Sequence, residues 1–228
     1  MENDWIKLWI APEIGGKVYG AMDKTNGKYF IYYNNVVKFR DIAMRGPWTS
    51  GGIEMNFGCI GHSPITSSTV DYYMRLNPDS SVSCFIGAID LPGRTEWKVE
   101  IYLPANKAWF ETRAEWINPS SVGTSLYHWM NASADAAEDL HYYFPGTNQI
   151  DHSGNVYHWP VNKNGRDISI YRNNDFGGDH SYHVLGKYTD WFAGYYEDRD
   201  YGFGHWSLYP LKPGKKIWMW ALSRQGDI

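Results

Sequence analysis

An acid, an amide and an imidazole lie close together in one glycine-rich stretch, "RGPWTSGGIEMNFGCIGHSP", which runs from Arg45 to Pro64. Side chains alternate along an extended "GGIEMNFG" segment, so Glu54 and Asn56 share one face and the apolar residues share the other. We expect the apolar face in the core and the polar face toward solvent or a cleft. A carboxylate and an imidazole can act as general acid and base, which makes Glu54 and His62 candidate catalytic residues. Arg45 and Asn56 flank them as candidate substrate-binding residues.

The same stretch has a structural interpretation. Glycine-rich corners are common in β proteins, and a tight corner could pair Glu54 with Arg45 with no functional role. Glycines also allow a ligand to approach the backbone closely. Both interpretations remain open from the sequence alone.

The segment "SLYHWMN" repeats the pattern, with Tyr127, Trp129 and Asn131 on one face of a predicted strand. Sugars present an apolar face and a rim of hydroxyls, which rings and amides complement. Trp129 and Asn131 are therefore candidate substrate-binding residues. The alternative is a core tryptophan whose indole N–H is bonded to a neighbour. His128 lies between two apolar residues and is predicted to be a core histidine.

A second group of candidate ligands occurs in "NNDFGGDHSYH", which holds Asp175, Asp179, His180 and His183. Carboxylates and imidazoles can bind a metal. Their spacing fits no helix-borne site, and a solvated loop is the favoured interpretation. Phosphate-binding and nucleophile-elbow motifs are absent from the sequence. We therefore predict neither a metal nor a cofactor.

Composition limits the classes of partner. The 228 residues carry a net charge of −4 with no basic block, so neither nucleic acid nor an acidic membrane surface is an expected partner. No segment reaches the apolar length of a membrane span. The chain holds 12 Trp, 18 Tyr and 9 Phe; a core uses some of these rings, and we expect the rest to line a surface where flat rings meet a ligand.

Strand signals dominate the chain. Alternating segments such as "GKVYGAMD", "SVSCFIGAID" and "TEWKVEIYLP" are separated by short turns, and no convincing amphipathic helix occurs. The single helix-like stretch, "ADAAEDLHYYF", is better interpreted as a strand. More than ten short strands predict a large antiparallel sandwich or barrel. We see no boundary and predict one domain over residues 1–228.

Several of these motifs carry a family resemblance. "APEIGGKVYGAMDKTNGKYFIYYN" resembles the opening of the galactose mutarotase-like (aldose 1-epimerase) superfamily. "WTSGGIEMNFGCIGHSP", "YHWMNAS" and "LKPGKKIWMWALSRQGDI" resemble a bacterial domain family without an assigned function, whose members often stand before tetratricopeptide repeats. The resemblance covers nearly the whole chain. It implies an antiparallel β-supersandwich with a sugar-binding groove on a concave face.

The resemblance also implies a mechanism, and this sequence departs from the superfamily pattern at two points. Mutarotases use a glutamate base and histidine acids on opposite sides of the sugar. The histidine of "YHWMN" is shifted by one residue from that pattern, so His128 is expected to face the core. The superfamily base lies on a strand near the end of the domain, and the sequence stops at Ile228 before one. We therefore expect a C-terminally shortened domain with weak sugar binding and no turnover.

Three functions follow as hypotheses. The first is a carbohydrate-active enzyme domain with Glu54 and His62 as acid and base. The second is a non-catalytic carbohydrate-binding domain. The third is a scaffold or protein-interaction domain that packs against helical repeats of a longer protein. The compartment is open, and an extracytoplasmic location is compatible with a removed signal peptide.

Overall fold

The protein is described here by a computed structural model that covers residues 1–41, 47–58, 61–151, 153–174, 180–185, 190–211 and 215–219. Within these ranges the chain is nearly all β, and its strands pair antiparallel. The helices in these ranges are short 3₁₀ turns at Pro12–Ile14, Pro64–Ser67 and Tyr171–Asn173. The predicted all-β class is confirmed. A helix long and apolar enough to cross a membrane does not occur in the described ranges.

The chain forms two compact units, residues 1–135 and 136–228. The strands described in the first unit are β1 (Ile6–Ala11), β2 (Lys17–Asp23), β3 (Lys28–Ile31), β4 (Arg40–Asp41), β5 (Pro47–Trp48), β6 (Ile53–Asn56), β7 (Asp71–Leu76), β8 (Val82–Asp90), β9 (Thr95–Leu103), β10 (Glu111–Ile117) and β11 (Trp129–Ala132). The strands described in the second unit are β12 (Leu140–Tyr143), β13 (Asn148–Ile150), β14 (Val156–His158), β15 (His180–Leu185), β16 (Trp191–Tyr196), β17 (Tyr201–Trp206) and β18 (Lys215–Met219). The single domain over 1–228 stays a prediction.

In the first unit the two larger sheets pack as a sandwich, and β4 pairs with β5 in a separate two-stranded sheet. One sheet has the order β1-β2-β6-β11 with β3 paired to β2, and the other has the order β10-β9-β8-β7. Their inner faces share one apolar core, to which β1 contributes Leu8, β6 contributes Met55 and β9 contributes Trp97. The alternation in "TEWKVEIYL" explains the placement of β9, because Trp97, Val99 and Ile101 are buried while Lys98 is exposed.

The second unit also buries its core between two sheets. Their orders are β12-β16-β17 and β14-β13-β15-β18. Leu140 and Tyr196 from the first sheet pack with Val184 and Ile217 from the second. Strand β12 lies within "ADAAEDLHYYF", so the prediction of a strand there is confirmed.

A buried lysine ties β2 to the loop that precedes β6. Lys17 is 1% exposed. Its Nζ donates to the carbonyl of Thr49 at 2.8 Å, to Thr49 Oγ1 at 2.9 Å and to the carbonyl of Gly51 at 3.0 Å. Burial lowers the pKa of Lys17 to about 8, and the nearby charge of Glu54 opposes that shift. The loop is thus held by one almost completely buried cation.

Replacing this lysine should change how stability depends on pH. Between about pH 8 and 10.5 the unfolded chain keeps a proton that folded Lys17 has lost, so the free energy of unfolding rises with pH. Lowering the pKa of Lys17 from 10.5 to about 8 corresponds to about 3 kcal/mol in the free energy of unfolding. Urea unfolding at pH 7.5 and pH 10 should show most of this gain in the wild type and none of it in Lys17→Met. Lys28→Met, at an exposed position, should behave like the wild type, and an equal pH response in Lys17→Met would contradict the assignment.

Candidate functional site

The acid–amide strand predicted from the sequence is β6, which lies between β2 and β11 in the five-stranded sheet. Ile53, Met55 and the following Phe57 pack into the core, as the alternation predicts. Glu54 and Asn56 lie on the opposite face, where they are 3% and 0% exposed. That face is covered by other side chains and does not open to solvent, so the strand is buried on both sides.

The Glu54 carboxylate is held by donors from three separate segments. Trp48 Nε1 donates to Oε2 at 2.6 Å, and Asn131 Nδ2 donates to the same oxygen at 3.2 Å. His62 Nδ1 lies 3.2 Å from Oε1. Both oxygens are therefore engaged within the protein, and Glu54 joins the loop before β6, the turn after β6 and strand β11.

These contacts decide the protonation state of Glu54. Burial by itself would raise the pKa, because desolvation disfavours the charged form. The hydrogen bond and charge of His62, with the hydrogen bonds from Trp48 and Asn131, outweigh burial and lower the pKa below its usual value. Glu54 is thus ionised at neutral pH. A carboxylate with a lowered pKa has no proton to give and is a weak base, so its chemistry here is that of a hydrogen-bond acceptor.

Asn56 positions the turn that carries His62. Its Oδ1 accepts a hydrogen bond from the backbone N–H of Ser63 at 3.0 Å. Ser63 in turn directs its Oγ toward Asp90 Oδ1 at 3.3 Å. The Asn56 Nδ2 group is buried and has no hydrogen-bond partner within the described ranges. Asn56 therefore acts on the site through the turn and is shielded from direct contact with a ligand.

Four rings pack beside the carboxylate, and we call Trp48, His62, Tyr127 and Trp129 the ring cluster. His62 lies between the two indoles, 5.7 Å from the Trp48 ring and 4.4 Å from the Trp129 ring, edge to face in both pairs. Tyr127 meets Trp129 edge to face at 6.4 Å. Trp48, His62 and Trp129 are half-buried, and Tyr127 is 50% exposed. The cluster therefore keeps ring surface at the outside of the unit.

The register of β6 and β11 brings the predicted binding residues together. Trp129 lies opposite Asn56, and Asn131 lies opposite Glu54. Directly opposed residues in an antiparallel pair point to the same face. These four side chains therefore lie on one face of the sheet. Arg45 lies outside the described residues, as does its suggested pairing with Glu54.

Glycine is required at two points of this site. At Gly52, where φ is +67°, a Cβ would stand 2.3 Å from the carbonyl oxygen of Val18 on β2. At Gly61 a Cβ would stand 2.4 Å from the Trp129 ring. His62 itself has a φ of 52°, a left-handed conformation that is uncommon for a residue with a side chain. Gly52 thus allows β2 to approach β6 closely, and Gly61 allows the Trp129 indole to pack against the turn.

The other candidate histidines lie elsewhere. His128 stacks on Phe57 with ring centroids 4.6 Å apart, and its Nδ1 lies 3.0 Å from the carbonyl oxygen of Asn56. Its placement against the core is confirmed. His180 and His183 belong to β15, whereas Asp175 and Asp179 lie outside the described residues. The described ranges contain no group of three or more potential metal ligands.

Two site residues were missed by the sequence analysis. Trp48 donates the shortest of the hydrogen bonds to Glu54, and Lys17 holds the loop beside it. Trp48 lies in the same "PWTSGG" segment as the glycines, only six residues before Glu54, and this closeness in sequence could have indicated a contact between the two side chains. Lys17 lies in an alternating strand where a lysine ordinarily indicates an exposed face. No sequence signal marks it as buried.

Glu54→Gln should remove an acid-dependent part of the stability. The lowered pKa of Glu54 means that its contribution is present above the unfolded value of 4.5 and is lost as the pH falls through the folded pKa. The glutamine carbonyl can still accept from Trp48 and Asn131. Urea unfolding at pH 7 and pH 3.5 should show a smaller acid loss in the variant. Glu115→Gln, at an exposed position, is the control, and an identical acid loss in Glu54→Gln and the wild type would refute the burial argument.

Comparisons with known proteins identify the family. Two solved structures are similar: a TPR-domain containing protein from Parabacteroides distasonis (24% identity, TM-score 0.83) and the Slr1438 protein from Synechocystis sp. PCC 6803 (12% identity, TM-score 0.66). The first match covers 97% of this chain and 38% of that one, and the second covers 96% and 80%. At these sequence identities the two structures show that the fold is shared, and nothing beyond the fold. The model of a domain of unknown function, DUF5107, matches residues 1–228, and the chain belongs to that family.

Proposed function

We propose that the first unit binds a carbohydrate through the ring cluster, with Asn131 supplying polar contacts beside the rings. The observation that carries this proposal is a set of partly exposed rings fixed around a buried, ionised carboxylate. A sugar ring can lay its apolar face on an indole, and its hydroxyls can reach an amide. Because Glu54 already fixes Trp48, His62 and Asn131, little side-chain entropy is lost on binding.

The geometry favours binding over acid–base catalysis. Proton transfer at an anomeric centre needs an acid and a base on opposite sides of the sugar. Glu54 Oε1 and His62 Nδ1 are in direct contact at 3.2 Å, which leaves no room for a sugar between them. The resemblance to the galactose mutarotase-like superfamily supports a sugar as the ligand class. We also propose that this chain belongs to that superfamily.

Trp129→Ala should weaken sugar binding about tenfold or more. Loss of an aromatic contact of this kind removes roughly 1.4 kcal/mol. Glycan-array screening of the wild-type chain would name the sugar, and calorimetric titration with it would give the dissociation constants of the wild type and the variant. Circular dichroism would confirm that the variant keeps its fold.

Trp109→Ala is the matched control, because Trp109 is an exposed indole of the same unit outside the ring cluster. It should bind as the wild type does. Equal binding by Trp129→Ala and Trp109→Ala would contradict a role for the cluster. Mutarotation of D-glucose and D-galactose, followed by polarimetry, should proceed at the uncatalysed rate. An acceleration that Glu54→Gln abolishes would show catalysis and overturn the binding proposal.

A second candidate function, a scaffold beside helical repeats, is favoured by strand β7. This edge strand exposes apolar side chains along its length, including Tyr72 (62%), Tyr73 (63%) and Leu76 (75%). At the opposite edge, β10 carries Glu111, Arg113 and Glu115 at alternate positions, a usual protection of sheet edges. The candidate predicts that Tyr72→Ser with Leu76→Ser lowers association with tetratricopeptide repeats of a family member and leaves sugar binding unchanged.

A further inference from the structure

A cleft of about 270 Å³ lies within the second unit and shares no described lining residue with the ring cluster. Its described lining residues are His141, Tyr142, Tyr143, Phe144, Pro145, Gly146, Trp159, Pro160, Asp167, Ser169 and Trp191. Clefts that hold drug-sized ligands typically measure roughly 300–1,000 Å³. A ligand that fits here is therefore small.

Aromatic rings form much of the cleft wall. Trp191 is 46% exposed and Tyr143 is 40% exposed, so both lining residues keep part of their surface open to solvent. Trp159 is buried, and its indole N–H donates to the carbonyl of Phe144 at 2.9 Å. Tyr143 also packs on His141 with ring centroids 4.3 Å apart. These contacts hold several rings in place before any ligand arrives.

The polar end of the cleft is a chain of hydrogen bonds. His141 Nδ1 lies 3.0 Å from Glu197 Oε1, and His141 Nε2 lies 3.1 Å from Ser169 Oγ. Ser169 Oγ donates to Asp167 Oδ1 at 2.6 Å. Because the hydroxyl proton goes to Asp167, Ser169 can only accept from the imidazole. Both ring nitrogens of His141 are thus engaged, one by Glu197 and the other by Ser169.

The carboxylate of Asp167 has one oxygen that is hydrogen-bonded to Ser169 and one that is not. Asp167 Oδ1 accepts from both the N–H and the Oγ of Ser169, and Oδ2 makes no hydrogen bond within the described ranges. No lysine or arginine is among the described residues that line the cleft. The cleft therefore presents the negative charge of Asp167 beside a wall of rings.

We propose that this cleft binds a small organic ammonium ion. Aromatic faces attract cations through the ring quadrupole, and quaternary ammonium groups are recognised by such walls. Asp167 Oδ2, which makes no hydrogen bond within the described ranges, supplies the opposite charge. An anion would meet the same carboxylate without a compensating cation, so the charge of the cleft argues against one. The site uses no residue of the ring cluster and does not depend on carbohydrate binding.

The test compares choline with 3,3-dimethyl-1-butanol, its neutral counterpart of nearly the same shape. Calorimetric titration of the full 228-residue chain should show choline binding about tenfold or more tightly than the alcohol, since only choline gains from the rings and the carboxylate. Equal affinity for the two compounds, or no binding of choline, would overturn the proposal. A neutral monosaccharide that occupies this cleft in preference to choline would overturn it as well.

Asp167→Asn tests the role of the charge. The asparagine oxygen can still accept from Ser169, so the loop is retained while the charge is removed. The advantage of choline over the alcohol should then fall to about twofold or less. Asp198→Asn removes an exposed acid of the same unit that does not line the cleft, and it should leave the advantage intact. Trp191→Leu should weaken choline severalfold, and choline binding unchanged by both Asp167→Asn and Trp191→Leu would place the ion elsewhere.

Discussion

The site in the first unit depends on one interaction, the burial of the Glu54 carboxylate among three donors. An ionised carboxylate removed from water is unstable unless it is paired and hydrogen-bonded. Trp48, His62 and Asn131 meet that requirement, and each comes from a different segment. Losing any one of them leaves part of a buried charge uncompensated. The loop before β6, the turn after it and the pairing with β11 are therefore coupled through a single side chain.

The neighbouring polar groups extend this coupling. Lys17 holds the carbonyls of the loop that leads to β6, and Asn56 holds the turn that follows it. Both are almost completely buried, so their hydrogen bonds have no competition from water. The ring cluster is the outermost part of this arrangement. Its rigidity comes from polar contacts beneath it as much as from contact between rings.

The sequence predicts strands and faces well where a local rule governs them. The alternation from Ile53 to Phe57 predicted which side of β6 enters the core, and "YHWMN" predicted the face shared with Asn131. It did not predict that Glu54 is covered, because the cover is Trp48 and His62, and His62 gets there through a left-handed turn that no periodicity encodes. The second unit shows the same limit. His141 meets Ser169 and Glu197, which are 28 and 56 residues away along the chain.

Both units place a histidine against a glutamate, yet the two pairs differ in consequence because they differ in burial. The Glu54 side chain is 4% exposed and that of His62 is 15% exposed, so water screens their interaction little and the pair fixes the structure around it. The Glu197 side chain is 56% exposed, and an ion pair at such a position contributes little to stability. Its effect on the second unit is local: it engages one nitrogen of His141 and directs the other to Ser169. The negative charge of the cleft comes from Asp167, whose Oδ2 makes no hydrogen bond within the described ranges.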